Sequence, residues 1–337
     1  MVCIASLLFY KYTNFFIQGI IANISPSFAD EGDRISKELL PGLPPLAISF
    51  FTFEFVHYLV EIYRGHRPIR SPITFALFSI YWPSLVAGPI KRYRQFVTSA
   101  RRGMHQVELD DIRAGAIRVS IGVMKKFLAD VLSGWIDFMD DNYEVIPTGE
   151  RWLVFVAIGA RILLDFSGYS DMAIGFARLM GIRLPENFRW PYLANSINDF
   201  WHRWHISLSS WIRDYVYIPL GGNRHGIPRK VVNLMVAMSL CGLWHGAAWN
   251  FILWGLYQGI GLVLSASVGR LIRSGAGYVV RHMAVCVPGN AQICQLISGL
   301  WLASCWISTL FFVFVGWLLF FYPASKAWSM LSLLFTM

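Results

Sequence analysis

Histidines embedded in apolar stretches are residues of this sequence whose type suits proton transfer, and two of their settings stand out. The first is Gly242-Leu-Trp-His245-Gly-Ala-Ala-Trp-Asn250, where one imidazole stands at the place an apolar run should turn. A neutral ring there would serve as a general base. Gly246, Ala247 and Ala248 leave space beside it, and Trp244 and Trp249 are able to wall that space with flat apolar surface. A lone histidine on an apolar face is otherwise a hydrogen-bonded packing residue, so these surroundings carry the functional reading.

The second setting is Asn198-Asp-Phe-Trp-His-Arg-Trp-His-Ile-Ser-Leu-Ser-Ser-Trp-Ile-Arg-Asp214. On one continuous helix Trp201, Trp204, Leu208 and Trp211 form an apolar stripe, and His202, His205 and Ser209 fall on the adjacent face at three- and four-residue steps. Asp199 precedes Arg203 by four residues, the favourable order for a helical ion pair. The stretch is amphipathic enough to lie at an interface or to line a cavity. Two histidines three apart can ligate a metal. The His-Glu-x-x-His spacing is absent, however, and no Cys or Glu stands nearby, so no metal is expected. A third cluster, Asp165-Phe-Ser-Gly-Tyr-Ser-Asp171, groups Asp165, Ser167, Ser170 and Asp171. It reads as a polar seam pairing with arginines such as Arg161 or Arg203, with Gly168 permitting close approach of a neighbour. No Gly-x-Ser-x-Gly nucleophile elbow occurs.

The elements that must position these groups are membrane helices. Of 337 residues 55% are hydrophobic and only 15% charged, against about 25% charged in a soluble domain. The net charge of +9 comes with abundant Phe, Trp and Leu, which excludes a disordered or nucleic-acid-binding chain. A crossing helix needs roughly 20 apolar residues, and such runs lie near 1–24, 39–62, 112–136, 152–180, 231–269 and 298–322. The run from Pro72 to Pro89 is broken at Pro83 and Gly88, which fits a re-entrant hairpin. The run 231–269 has Gly242, Gly246 and Asn250 at its middle, where a helical hairpin would turn.

Basic residues cluster at Arg64 to Arg70, Lys91 to Arg102, Arg224 to Lys230 and Arg270 to Arg281, whereas Asp137 to Glu150 contains no Lys or Arg. All basic loops fall on the cytoplasmic side if 72–90 and 231–269 each return to the side they came from. The layout expected is an all-α, multi-pass membrane domain over 1–337 of about eight to ten helical segments, some re-entrant or interfacial. Cys3, Cys241, Cys286, Cys294 and Cys305 show neither zinc nor disulfide spacing, and read as small apolar side chains. No cleavable signal pattern is present. No internal repeat is visible, which weakens a transporter built from inverted halves.

With these residues in place the chain resembles the membrane-bound O-acyltransferases, in the bacterial branch that includes the alginate O-acetyltransferase membrane subunit. The matching stretches are Pro45-Leu-Ala-Ile-Ser-Phe-Phe-Thr-Phe, Ala87-Gly-Pro-Ile, Asp165-Phe-Ser-Gly-Tyr-Ser-Asp-Met-Ala-Ile-Gly175, Pro185-Glu-Asn-Phe, Phe200-Trp-His-Arg-Trp-His-Ile-Ser-Leu-Ser, Tyr217-Ile-Pro-Leu-Gly-Gly-Asn-Arg224 and Leu243-Trp-His-Gly. They run in the family's order over roughly 8–260. The resemblance implies helices around a catalytic channel in which a cytoplasmic acyl donor meets an acceptor from the other face. It places His245 on the family's active-site histidine and His205 on its second active-site position. Channel-lining positions expected with them are His202, Trp204, Ser209, Asp214, Trp244 and Asn250. His202 stands where the branch commonly has Arg, a change on the donor side. Family members usually carry further helices before the segment resembling Leu7-Leu-Phe-Tyr-Lys-Tyr, so a fragment, a misplaced start or a shortened member is expected. After about 270, including 298–322, the likeness is only hydrophobic.

What the resemblance implies is acetyl transfer from acetyl-CoA toward an extracytoplasmic polysaccharide such as alginate, in the bacterial inner membrane and with no permanently bound cofactor. The implied partners are a hydrolase-like extracytoplasmic acetyltransferase and the polysaccharide synthesis machinery, with no nucleic acid. The basic loop Lys91 to Arg102 could attract coenzyme A phosphates, though cytoplasmic topology alone accounts for it. The nearest rival is a D-alanyl transfer protein of teichoic acid synthesis, and from another class a non-catalytic scaffold or a proton-coupled transporter. Reporter fusions test the layout: a periplasm-dependent reporter is expected to be active at Asp141 and silent at Arg102, and activity at both would falsify it.

Overall fold

The apolar runs fold into helices that break where Gly, Pro or a buried polar contact interrupts them. A computed structural model describes residues 2–40, 45–103, 105–286 and 291–336, with the side chains of 39 and 268–294 outside the described set. Among the described residues there are helices and no strand, in order α1 (Val2–Leu7), α2 (Thr13–Gly19), α3 (Pro26–Leu39), α4 (Ile48–Tyr63), α5 (Pro72–Ser79), α6 (Tyr93–Gly103) and α7 (Leu109–Asp140). They continue as α8 (Thr148–Leu179), α9 (Ile197–Arg203), α10 (Ile206–Ile212), α11 (Gly226–His245), α12 (Trp249–Cys286), α13 (Ala291–Phe321) and α14 (Ala324–Leu333). The expectations at Cys286, Cys294, Arg270, Arg273 and Arg281 lie outside the described side chains. By length and hydropathy Thr148–Leu179 and Gln295–Phe321 are able to cross a membrane.

Two compact units share the chain. The first takes Met1–Ile146, Ala157–Asn187 and Leu243–Phe251. Its long pair α7 and α8 meets along glycines: a Cβ on Gly122 would lie 2.6 Å from the Gly168 carbonyl oxygen, and one on Gly175 would lie 2.8 Å from that of Gly115. Two backbones this close leave no room for side chains, so long polar groups reach across beside the contact. Asp171 accepts from Arg118 Nε at 2.8 Å and from Lys125 Nζ at 2.6 Å. Asp165 lies 2.8 Å from Lys126 Nζ, and Asp111 lies 2.7 Å from Arg178 Nε. The expected polar seam is present, but its cations for Asp165 and Asp171 come from α7 and not from Arg161 or Arg203. Carboxylates within a membrane run require such partners, because no water is there to solvate them.

The segment 72–90 breaks as its prolines predict. Helix α5 stops at Ser79 after eight residues, a 3₁₀ turn covers Trp82–Ser84, and the chain then runs without helix to Lys91. At about 1.5 Å per residue such a helix is far too short to span a bilayer. The Lys91 ammonium is buried, 2.6 Å from Glu54 Oε1 and 3.2 Å from Ser84 Oγ, with Phe78, Tyr81 and Phe96 rings within 5.9 Å. This pair joins α4 to the residue that follows the broken segment, whose Phe78 and Tyr81 belong to a core with Tyr93, Phe96, Ile174 and Leu184.

The second unit takes Pro147–Val156, Phe188–Gly242 and Ile252–Met337. In it α11 and α12 run antiparallel, with Gly255 packed on Met238 and Gly259 on Met235. Their break falls at 246–248, as the glycine and alanines suggest. The continuous helix expected over 198–214 is not formed: α9 ends at Arg203, Trp204 is extended, and His205 sits at φ 43°, ψ 52° before α10 begins. Tertiary packing overrides the helical period there. The Trp204 ring is drawn among Phe188, Tyr192, Phe200 and Trp317, with centroids at 5.0, 6.2, 5.6 and 4.8 Å. A left-handed non-glycine residue costs about 1–2 kcal/mol, which burial of an aromatic cluster exceeds.

Candidate functional site

In the first unit the site is built around the carboxyl end of α11. The last carbonyls of a helix have no partner within it. Here the Tyr12 hydroxyl donates to the Leu243 carbonyl at 2.8 Å, and the Lys11 ammonium donates to the Trp244 carbonyl while also donating to Ser49 Oγ at 3.1 Å. A cation at this end also meets the negative pole of the helix dipole. The next residue is His245. It lines a cavity of about 340 Å³ with Lys11, Pro45, Ala47, Ser49, Phe50, Val86 and Trp244. The Trp244 ring stacks on Phe53 at 5.1 Å and 17°, and meets Phe50 and His245 edge-on at 5.5 and 4.7 Å.

One wall carries backbone strain: Ala47, at φ 63°, precedes α4 and lines the cavity. The space expected beside Gly246 is filled, because a Cβ on that glycine would run into the Phe251 ring. Residues 45–50 line the cavity instead. Trp249 donates its indole N–H to the Gly19 carbonyl at 3.1 Å and packs edge-on against Phe15. Neither it nor Asn250 is among the residues lining the cavity. Lys11 and Tyr12 were legible in sequence only as polar interruptions of an apolar run.

The second unit holds the other expected residues. His205 is buried, and its carbonyl accepts from Ser209 N at 2.9 Å. The Ser209 hydroxyl donates to the Trp204 carbonyl at 3.1 Å, and Arg189 N donates to the Arg203 carbonyl at 2.9 Å, so both sides of the helix break are tied. His202 is exposed, and its Nδ1–H donates to the Asn198 carbonyl at 2.6 Å. With Asn198, Trp201, Ser209, Arg213, Tyr217 and Lys230 it lines a cavity of about 300 Å³ that His205 does not line. Arg213 Nε donates to Asp214 at 2.8 Å, and the Tyr217 hydroxyl donates to Asn223 Oδ1 at 2.5 Å. Burial pushes the Tyr217 hydroxyl above its ordinary pKa. Trp204 packs within the aromatic cluster described above. Among the described residues no three His, Cys, Asp or Glu side chains group closely enough to hold a metal ion.

These features sit in a chain that belongs to the membrane-bound O-acyltransferase family, which matches residues 31–309. Among its relatives is a probable alginate O-acetylase AlgI of Pseudomonas putida, 43% identical over 270 residues, covering 79% of this chain and 54% of the relative. A peptidoglycan O-acetyltransferase of Helicobacter pylori is 35% identical over 283 residues, covering 75% and 52% respectively. A teichoic acid D-alanyltransferase of Bacillus subtilis is more distant at 31% over 265 residues, covering 73% and 66%. The chain thus spans about half the length of the O-acetylating relatives it matches.

The contact between Gly246 and Phe251 is open to a direct test. Gly246→Ala is expected to lower stability by about 1–3 kcal/mol through overpacking, read as an earlier thermal midpoint in detergent, and to cost little further when introduced into a Phe251→Ala background, where the clashing ring is gone. An unchanged midpoint for the single variant would contradict the packing.

Proposed function

We propose that the protein is an O-acetyltransferase of the bacterial inner membrane, moving an acetyl group from cytoplasmic acetyl-CoA toward an extracytoplasmic polysaccharide such as alginate. The observation that carries this reading is His245, held at the capped end of α11 on the edge of a cavity in a chain of the O-acyltransferase family. The fold would be multi-pass, with about eight to ten helical segments of the length and pattern that bilayers require.

In the proposed reaction an acceptor hydroxyl attacks the thioester carbonyl of the donor. The new C–O bond forms, the C–S bond breaks, and coenzyme A leaves as its thiol. His245 takes the hydroxyl proton as general base and returns it to the departing sulfur. His205 orients the hydroxyl or donates to the carbonyl oxygen as it gains negative charge. Transfer would be direct, or would pass to a hydrolase-like extracytoplasmic acetyltransferase working with the polysaccharide machinery. The D-alanyl transfer reading has less support, since the relatives named for O-acetylation are the more similar ones. A scaffold would tolerate loss of His245.

The acetyl ester content of exported polysaccharide decides between these readings. In a deletion strain the unaltered chain, or the same chain extended at its start, is expected to restore acetylation. His245→Ala is expected to lower the restored level at least a hundredfold at equal protein abundance, within the range general base catalysis supplies. Full acetylation by His245→Ala would overturn the proposal, and D-alanyl ester in its place would favour the rival.

A further inference from the structure

The pair α7 and α8 carries charged side chains that the rest of the chain leaves open. Lys126 Nζ lies 2.6 Å from Asp130 Oδ1 and 2.8 Å from Asp165 Oδ1, yet the three side chains stay 44, 61 and 51% exposed. Asp171, by contrast, is 10% exposed between Arg118 and Lys125. Arg161, one turn before Asp165, is engaged elsewhere as well. At about 1.5 Å per residue Asp165 lies roughly 25 Å along α8 from Thr148, and Asp130 roughly 15 Å before the end of α7 at Asp140, depths that fall inside a hydrocarbon layer of about 30 Å. A lysine stem can snorkel toward water, but the single methylene of aspartate cannot. Carboxylates at such depth almost always face protein or a water-filled cavity. These residues line neither the His245 cavity nor the one beside His202, which leaves protein.

A second feature stands on the same stripe of α7, because Gly134 follows Asp130 by one helical turn. Glycine inside a helix is destabilising relative to alanine, and Gly115, Gly122, Gly168 and Gly175 offset that by close contact: a Cβ on any of them would run into the backbone of the facing helix. A Cβ on Gly134 would meet nothing within 4 Å. On an open helix face in a membrane, a small residue is what lets another helix approach closely. Met124, Phe127 and Val131 on the same helix are exposed, so the charged stripe is flanked by apolar side chains able to pack against a neighbour.

We propose that this stripe of α7 is the contact between two copies of the chain, packed side by side about a two-fold axis along the membrane normal. Such an axis sets each residue against its own depth in the other copy, so the two Gly134 positions meet at the crossing. The ammonium of Lys126 has three N–H donors, of which Asp130 and Asp165 of its own copy take two. The third is open to Asp130 of the partner subunit, whose carboxylate has acceptor sites to spare. A stripe bearing both signs of charge is self-complementary, which favours a second copy over a foreign helix that would need to match it. Asp137, further along α7, belongs to the acidic stretch expected outside the membrane, where water solvates it. The inference concerns assembly and does not depend on the acetyl transfer reading.

The test counts copies of the full chain per particle by native mass spectrometry in mild detergent, over a range of protein concentrations. Wild type is expected to hold two copies. Gly134→Leu is expected to weaken dimerisation at least tenfold without lowering the thermal midpoint, because the new side chain meets nothing in its own chain. Gly149→Leu, at a second open glycine near the start of α8, is expected to leave the dimer intact. In membranes before extraction, Gly134→Cys is expected to form a disulfide-linked dimer on mild oxidation, and Gly149→Cys is not. The proposal is overturned by a single copy of wild type, alone or with a different protein, or by an undiminished Gly134→Leu dimer. An equal loss in Gly149→Leu, or equal cross-linking at the two positions, overturns it as well.

Discussion

The last carbonyls of a helix have no partner within it, and the structure around α11 meets that requirement with side chains from elsewhere in the chain. Lys11 and Tyr12 meet the carbonyls of Trp244 and Leu243, so the first apolar stretch of the chain is tied to the residue before His245. The same lysine reaches Ser49 on α4, whose entry at Ala47 shapes the cavity. A charge that interrupts a hydrophobic run costs about 3 kcal/mol on insertion scales. Here that cost is offset by a helix end and a hydroxyl, in the same cavity that His245 lines.

The rule of internal pairing extends through the rest of the first unit. Glycines let α7 and α8 touch, and the carboxylates of α8 are neutralised by Arg118, Lys125 and Lys126 beside that contact. Glu54 and Lys91 do the same for the broken segment 72–90. A buried pair of this kind adds little net stability compared with apolar packing, but losing one partner strands the other charge. Such pairs therefore fix which segments meet, more than they strengthen the fold.

Much of this was legible in the residues. Pro83 and Gly88 marked the break in 72–90, and the Gly246 to Ala248 stretch marked the end of α11, because these residues act locally. The break at Trp204 and His205 was not legible, since no Gly or Pro stands there and the helical period runs straight through it. It arises from Tyr192, Phe200 and Trp317 around the Trp204 ring, a contact set assembled from distant positions. The partners of Asp165 and Asp171 were missed for a related reason: α7 repeats glycine at 115 and 122 and a cation at 118 and 125, a two-turn spacing that gains meaning only beside the glycines of α8. His205 and His245 were both singled out by residue type, but they belong to different units, and type alone could not show that Lys11 would stand beside the second.

Held on the Trp244 carbonyl next to His245, Lys11 would act as a positioning residue for the proposed base. A double-mutant cycle on acetyl ester formation measures this, comparing Lys11→Met in the native background and in His245→Gln at matched protein levels. Lys11→Met is expected to lose about tenfold or more in the native chain, the rate equivalent of one charge-assisted hydrogen bond, and little further once His245 is gone. The same fold-loss in both backgrounds would show that the two residues act independently, and would contradict it.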